Sequence, residues 1–129
     1  MPPERRSMED VIRADGRYPL EAYAFLQEGL ARAVREAYGE EPSEAQRHVT
    51  GRQLCLGLRD VARERWGMLA RSVLAKWNIR ATIDFGHMVY LLIEHQLMRK
   101  TDEDSLEDFR DVYDFDEAFR PQDEFELKE

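Results

Sequence analysis

Three histidines, one cysteine and a run of arginines are the residues of this 129-residue chain whose types could do chemistry. In TIDFGHMVYLLIEHQLM, Asp84, His87 and His95 project within about 80° of one another if the segment is helical, at ~100° per residue. A carboxylate and two imidazoles on one helix face are donor types that bind zinc. Distance argues against a shared ion. His87 and His95 lie roughly 12 Å apart along a helix axis, whereas one metal draws its ligands in to about 2 Å. His48 sits in a separate loop segment. Neither a metal nor a cofactor is expected.

The run Asp84-Phe85-Gly86 matches a short kinase motif without that motif's companions. No phosphate loop, dinucleotide fingerprint, nucleophile elbow, HExxH or CxxC pattern occurs. Cys55, in LCLGL, reads as a small buried apolar residue rather than a nucleophile. No residue is nominated as catalytic.

Charge is more informative. Residues 102–129 hold 13 acidic and 3 basic residues, and residues 1–101 hold 14 acidic and 16 basic. The stretch from Arg47 to Arg80 carries 8 bases against Asp60 and Glu64. The chain is thus a mildly basic body with a strongly acidic end, a pattern that bears on association rather than fold. Arg52, Arg59 and Arg63 share a helix face, and Arg71, Lys76 and Arg80 follow. These six form a candidate face for a phosphate backbone, for a protein partner, or for the chain's own acidic end. That end mixes acids with Phe109, Tyr113, Phe115 and Phe119, candidate anchors for an arm that docks by its rings and orients by its charges.

Elements that would position these groups follow from period and caps. Pro19 and Gly39 bound a helix whose Tyr23, Leu26, Leu30, Ala33 and Val34 share a face. Phe25 lies off that stripe, and Gly29 in mid-helix marks a close crossing. Thr50 with Gln53 matches a capping box opening a second long helix, which Gly67 ends. In the next segment Leu69, Ala70, Val73, Leu74 and Trp77 are assigned to one face. Thr82 is read as the N-cap of a helix in which Phe85, Val89 and Leu92 turn inward. Together with Leu54, Leu58 and Val61, these residues make the expected core. Phe109, Tyr113 and Phe115 alternate as in a strand, although a ragged helical face also fits.

The expected fold class is mainly α. It comprises a compact four- to five-helix domain at residues 7–119 with a docked C-terminal arm, a disordered stretch at 1–6 and a flexible acidic end at 120–129. YPLEAYAFLQEGL, HVTGRQLCLGLRDVARERWGMLARSVLAKWNI and TIDFGHMVYLLIEHQLM, with DSLEDFRDVYDFDEAF, resemble a small uncharacterised bacterial family found chiefly in planctomycete and verrucomicrobial genomes. The resemblance spans roughly residues 18–119. It implies a stand-alone domain and no activity, because that family has no assigned function. The order of three helices, LIEHQLMRKTDED and FRDVYDF also resembles a winged helix, with a small β-hairpin near 97–115. In that class the third helix reads the major groove. Here its first turn offers Asp84 and no Arg, Lys, Asn or Gln, so base reading by it is not expected.

No apolar run reaches the roughly 18–20 residues that span a membrane, and MPPERRSMED lacks the apolar core of a secretory signal. One cysteine cannot form an internal disulfide. The expected setting is cytoplasmic and reduced. The leading functional expectation is a non-enzymatic helical protein–protein interaction domain, whose partner is another protein or a second copy of the chain. A nucleic-acid-associated module with its basic face masked by the tail is the second reading, and an enzyme with an unrecognised site is the third.

Overall fold

The computed structural model describes residues 7–43 and 47–120. The expected disordered start and nearly all of the expected flexible end lie outside these residues. The elements are α1 (Met8–Asp15), α2 (Leu20–Tyr38), α3 (Gly51–Trp66), α4 (Ala70–Lys76), α5 (Thr82–Glu94) and the single turn α6 (Phe115–Ala118). Two 3-10 turns, Gly67–Leu69 and Leu106–Phe109, join them.

The helices begin where side chains take up their first free N–H groups. Ser7 Oγ accepts from Asp10 N at 3.1 Å before α1. Thr50 Oγ1 accepts from Gln53 N at 3.0 Å while Gln53 Oε1 accepts from Thr50 N at 2.8 Å, closing the capping box of α3. The start of α5 differs from expectation. Thr82 is its first residue and Ala81 its N-cap. The cap is supplied from inside the helix, because Asp84 Oδ2 accepts from Arg80 N at 2.8 Å and Ala81 N at 3.1 Å. Thr82 is left for another task.

The central packing is α2 against α3, and it is built on glycine. A Cβ on Gly57 would lie 2.9 Å from the Gly29 carbonyl oxygen and 3.2 Å from Ala33 Cβ. A Cβ on Gly29 would run into the Leu58 side chain. The two backbones therefore approach as closely as they do because neither residue has a side chain. Leu58 is fully buried over this crossing. Across the outer edge, Arg32 donates two hydrogen bonds to Glu64, at 2.6 and 3.0 Å.

At one end of the crossing Phe25 gathers the remaining helices. Its ring lies 5.2 Å from Trp66 of α3, 5.9 Å from Trp77 and 6.4 Å from Phe85 of α5. Trp66 and Trp77 meet edge to face at 5.6 Å. Leu54, Leu58, Val61, Phe85, Val89 and Leu92 are all buried, as expected. Leu69 is not: it is 64% exposed, and Val73 is half-buried. The assigned face of α4 holds except at its start. Ala70 and Leu74 are buried as assigned, whereas Leu69 belongs to the 3-10 turn Gly67–Leu69, which advances ~120° per residue instead of ~100° and carries it out of that face.

The β-hairpin and winged-helix features are absent. Among the described residues none is in a strand. Residues 95–105 form a loop, followed by a 3-10 turn and α6. Local side chains hold the N–H groups that a ladder would need. Asp104 Oδ2 accepts from Thr101 N at 2.8 Å, Asp108 Oδ2 from Ser105 N at 3.1 Å and Asp114 Oδ1 from Asp116 N at 2.8 Å. Asp111, at φ 51, breaks any extended run.

Gly57→Ala tests the crossing. Helix propensity alone favours alanine by about 1 kcal/mol, but overpacking against backbone costs about 1–3 kcal/mol. Net destabilisation in urea melts is the expected result, and a gain in stability would show that the helices can separate freely. Leu58→Ala is expected to cost about 2–5 kcal/mol.

Candidate interaction face

The six basic residues singled out from the sequence do not form one face. Three of them meet the arm, residues 105–119. Arg63 Nε donates to the Ala118 carbonyl oxygen at 2.8 Å. Arg71 Nε lies 2.8 Å from Asp116 Oδ1. The Arg59 guanidinium sits 6.0 Å from the Tyr113 ring centre while its Nε donates to Asp60 at 3.1 Å. Of the other three, Arg80 and Arg52 border recesses that also hold arm residues, and Lys76 lies apart from the arm. Arg80 lines a small recess with Arg71 and Phe115. Lys76 borders a groove with Tyr18 and Trp77. Arg52 faces a recess that also holds Asp104, Asp108 and Asp111.

The four arm residues do converge on the body. Phe109, Phe115 and Phe119 are buried, and Tyr113 is half-buried. Phe109 fits where two glycines leave room. A Cβ on Gly51 of α3 would come within 2.8 Å of its ring, and so would one on Gly86 of α5. Phe115 lies 6.1 Å from Phe85, 5.9 Å from Tyr113 and 5.5 Å from Phe119. Each fully buried ring contributes roughly 1.5–3 kcal/mol, whereas an exposed ion pair such as Arg71–Asp116 contributes about 0–1 kcal/mol.

Two residues fix the arm's path by hydrogen bonds whose partners the sequence did not indicate. Thr82, buried at the start of α5, donates to the Phe109 carbonyl oxygen at 2.6 Å and accepts from Val112 N at 3.1 Å. Tyr113 Oη donates to the Cys55 carbonyl oxygen at 2.7 Å. A third contact, His48 Nε2 to Asp104 Oδ1 at 3.1 Å, ties the approach to α3 to the loop after α5. Nothing local in the sequence marks these pairings, which join residues 27 to 58 positions apart.

Groups with chemical potential are occupied structurally. Asp84, besides capping α5, accepts from Tyr18 Oη at 2.7 Å. The Cys55 thiol is buried, and burial pushes its pKa up to about 12, which removes thiolate character at neutral pH. Among the described residues no group of three His, Cys, Asp or Glu could hold a metal ion. Among them, too, no helix is long and apolar enough to cross a membrane.

The corner between α3 and α4 has a different character. Met68 and Leu69 are adjacent and stand 52% and 64% exposed. Trp66 lies half-buried beside them, and Arg71 with its partner Asp116 follows. No known family, curated protein or solved structure matches the chain.

Two measurements test the arm's seat. Thr82→Val keeps the shape but orphans a carbonyl and an N–H, so a loss of about 2–4 kcal/mol in urea melts is expected. A neutral result would mean the arm is held by its rings alone. Burial also raises the phenols of Tyr18, Tyr23 and Tyr113 above their ordinary value. Their folded pKa values exceed the unfolded ~10, so the stability they confer is complete below about pH 10 and falls as pH rises beyond it. Tyr113→Phe is expected to flatten that fall in thermal melts, and an unchanged slope would remove Tyr113 from the account.

Proposed function

We propose that this chain is a non-enzymatic helical protein-interaction domain that presents the α3–α4 corner to a protein partner, with a second copy of itself the first to test. The observation that carries this reading is the adjacent exposed pair Met68 and Leu69. Isolated exposed apolar residues are ordinary. Here two neighbours protrude together from a 3-10 turn, while among the described large apolar side chains only Tyr38 is comparably exposed, at 39%. Charges of both signs flank them, with Arg65 and Arg71 on the body and Asp116 on the arm. An apolar centre with a mixed polar rim is the anatomy of a protein interface.

The nucleic-acid reading is second, because Arg63 and Arg71 are engaged by the arm. Its specific support is Arg71, whose charge Asp116 covers at the surface.

A photo-crosslinking residue placed at position 69 in cells tests the first reading. The expected product is a discrete protein adduct that Met68→Asp diminishes while leaving the melting temperature unchanged. The absence of any adduct, or one indifferent to Met68→Asp, sinks the proposal. For the second reading, Asp116→Arg uncovers Arg71. Salt-sensitive, sequence-independent binding of that variant to duplex DNA would favour a masked basic face, and no binding is the outcome expected here.

A further inference from the structure

A second site lies away from that corner. Between the N-terminal end of α3, α5 and the loop that leads into the arm is a cavity of about 360 Å³. Small-molecule sites span about 300–1,000 Å³. Leu30, Val49, Leu54, Val89, Ile93 and Met98 give it apolar walls. Met68 and Leu69 take no part in it, so it is independent of the interaction proposal.

The charges on its lining differ in what they already meet. Arg47, Arg99 and Lys100 stand there against Asp104 and Asp108. Both carboxylates are engaged in shaping the loop. Asp104 Oδ2 accepts from Thr101 N at 2.8 Å, and its Oδ1 meets His48 Nε2 at 3.1 Å. Asp108 Oδ2 accepts from Ser105 N at 3.1 Å. The bases that follow Met98 are not matched in return. Among the described residues neither Arg99 nor Lys100 forms an ion pair. Lys100 Nζ turns instead to the carbonyl oxygens of Thr101 and Asp104, at 3.2 and 3.5 Å. Those oxygens accept hydrogen bonds and leave the ammonium charge uncompensated.

Two adjacent, exposed cations without a carboxylate therefore border a cavity whose walls are mostly apolar. They oppose a cationic ligand, and an uncharged one leaves them unused. A molecule with an apolar chain and an anionic head uses both features. Its chain leaves water among the walls, and its head stays at the exposed rim, which avoids the cost of burying a charge. A carboxylate suits that rim, because its two oxygens match the paired N–H groups of a guanidinium. We infer that the cavity binds an amphipathic carboxylate, with its chain among Leu30, Val49, Val89 and Ile93 and its head held by Arg99 and Lys100.

Isothermal titration of the full chain with decanoate, below the concentration at which it forms micelles, tests this. Decanol and decylamine carry the same chain with a neutral and a cationic head. Saturable decanoate binding is expected, tighter than that of either. The double variant Arg99→Gln, Lys100→Gln alters only exposed side chains and should weaken decanoate about five- to tenfold, while leaving decanol unaffected. Arg13→Gln removes an exposed base that does not line the cavity and should leave decanoate binding unchanged. Ile93→Trp fills the cavity and should abolish binding, with circular dichroism confirming the fold. If Ile93→Trp misfolds, the two surface variants still decide. Equal decanoate binding by the double variant and wild type overturns the inference. So does equal weakening by Arg13→Gln, decanol or decylamine binding as tight as that of decanoate, or no saturable decanoate binding.

Discussion

The fold depends on two backbones meeting without side chains between them. Gly57 of α3 rests against the Gly29 carbonyl of α2, and Leu58 fills the space above Gly29. This contact sets the distance between the two longest helices. Everything on their flanks takes its position from that distance, including the Arg32–Glu64 pair on one side and the Phe25 aromatic group at one end. A crossing fixed by sterics rather than by shared apolar area tolerates little variation, because close-packed interiors relax poorly.

The same device recurs where the arm docks. Gly51 and Gly86, on different helices, leave the space that Phe109 occupies. Rings supply the affinity of the arm for the body, and Thr82 supplies its direction. The arm's many acids do less electrostatic work than their number implies. Asp108 and Asp114 accept from nearby N–H groups and shape turns, and Asp116 meets an arginine of the body. Much of the negative charge is therefore local turn chemistry.

Long helices were legible in the sequence and short segments were not, for identifiable reasons. The 3.6-residue period of α2 and α3, and the Thr50–Gln53 box, are local signals that tertiary packing did not override. Gly29 was readable as a crossing because a glycine in mid-helix is otherwise unfavourable. Leu69 was misplaced because it lies in a 3-10 turn ahead of α4, where the helical phase does not apply, while Ala70 and Leu74 of α4 were placed correctly. The alternation of Phe109, Tyr113 and Phe115 matched a strand, yet the aspartates between them favour capped turns. Of the candidate site residues, the arm rings converge on the body as a group, and the basic residues line the arm at separate points, with Lys76 apart from it. Thr82 looked like a cap because its true partners lie 27 and 30 residues away. The cavity beside Arg99 and Lys100 has walls drawn from α2, α3, α5 and two loops, so no single stretch reveals it.

The docked arm also dictates an order of assembly. Contacts between α2 and α3 join neighbouring helices and need little chain closure, whereas Phe109 must return across 58 residues to reach Gly51. Closure entropy grows with the length of chain enclosed, and distant contacts form late. The helical body thus forms while the clefts for Phe109, Phe115 and Phe119 are still open to water. Until the arm arrives, Phe85 and the two glycine-lined notches are an adhesive surface on a nascent chain. The loop at residues 95–105 is then more than a connector, for it keeps the covering segment tethered and at high local concentration. A single backbone cut there would turn an intramolecular lid into a dissociable peptide, and the body's solubility would pass from a property of the sequence to a matter of concentration.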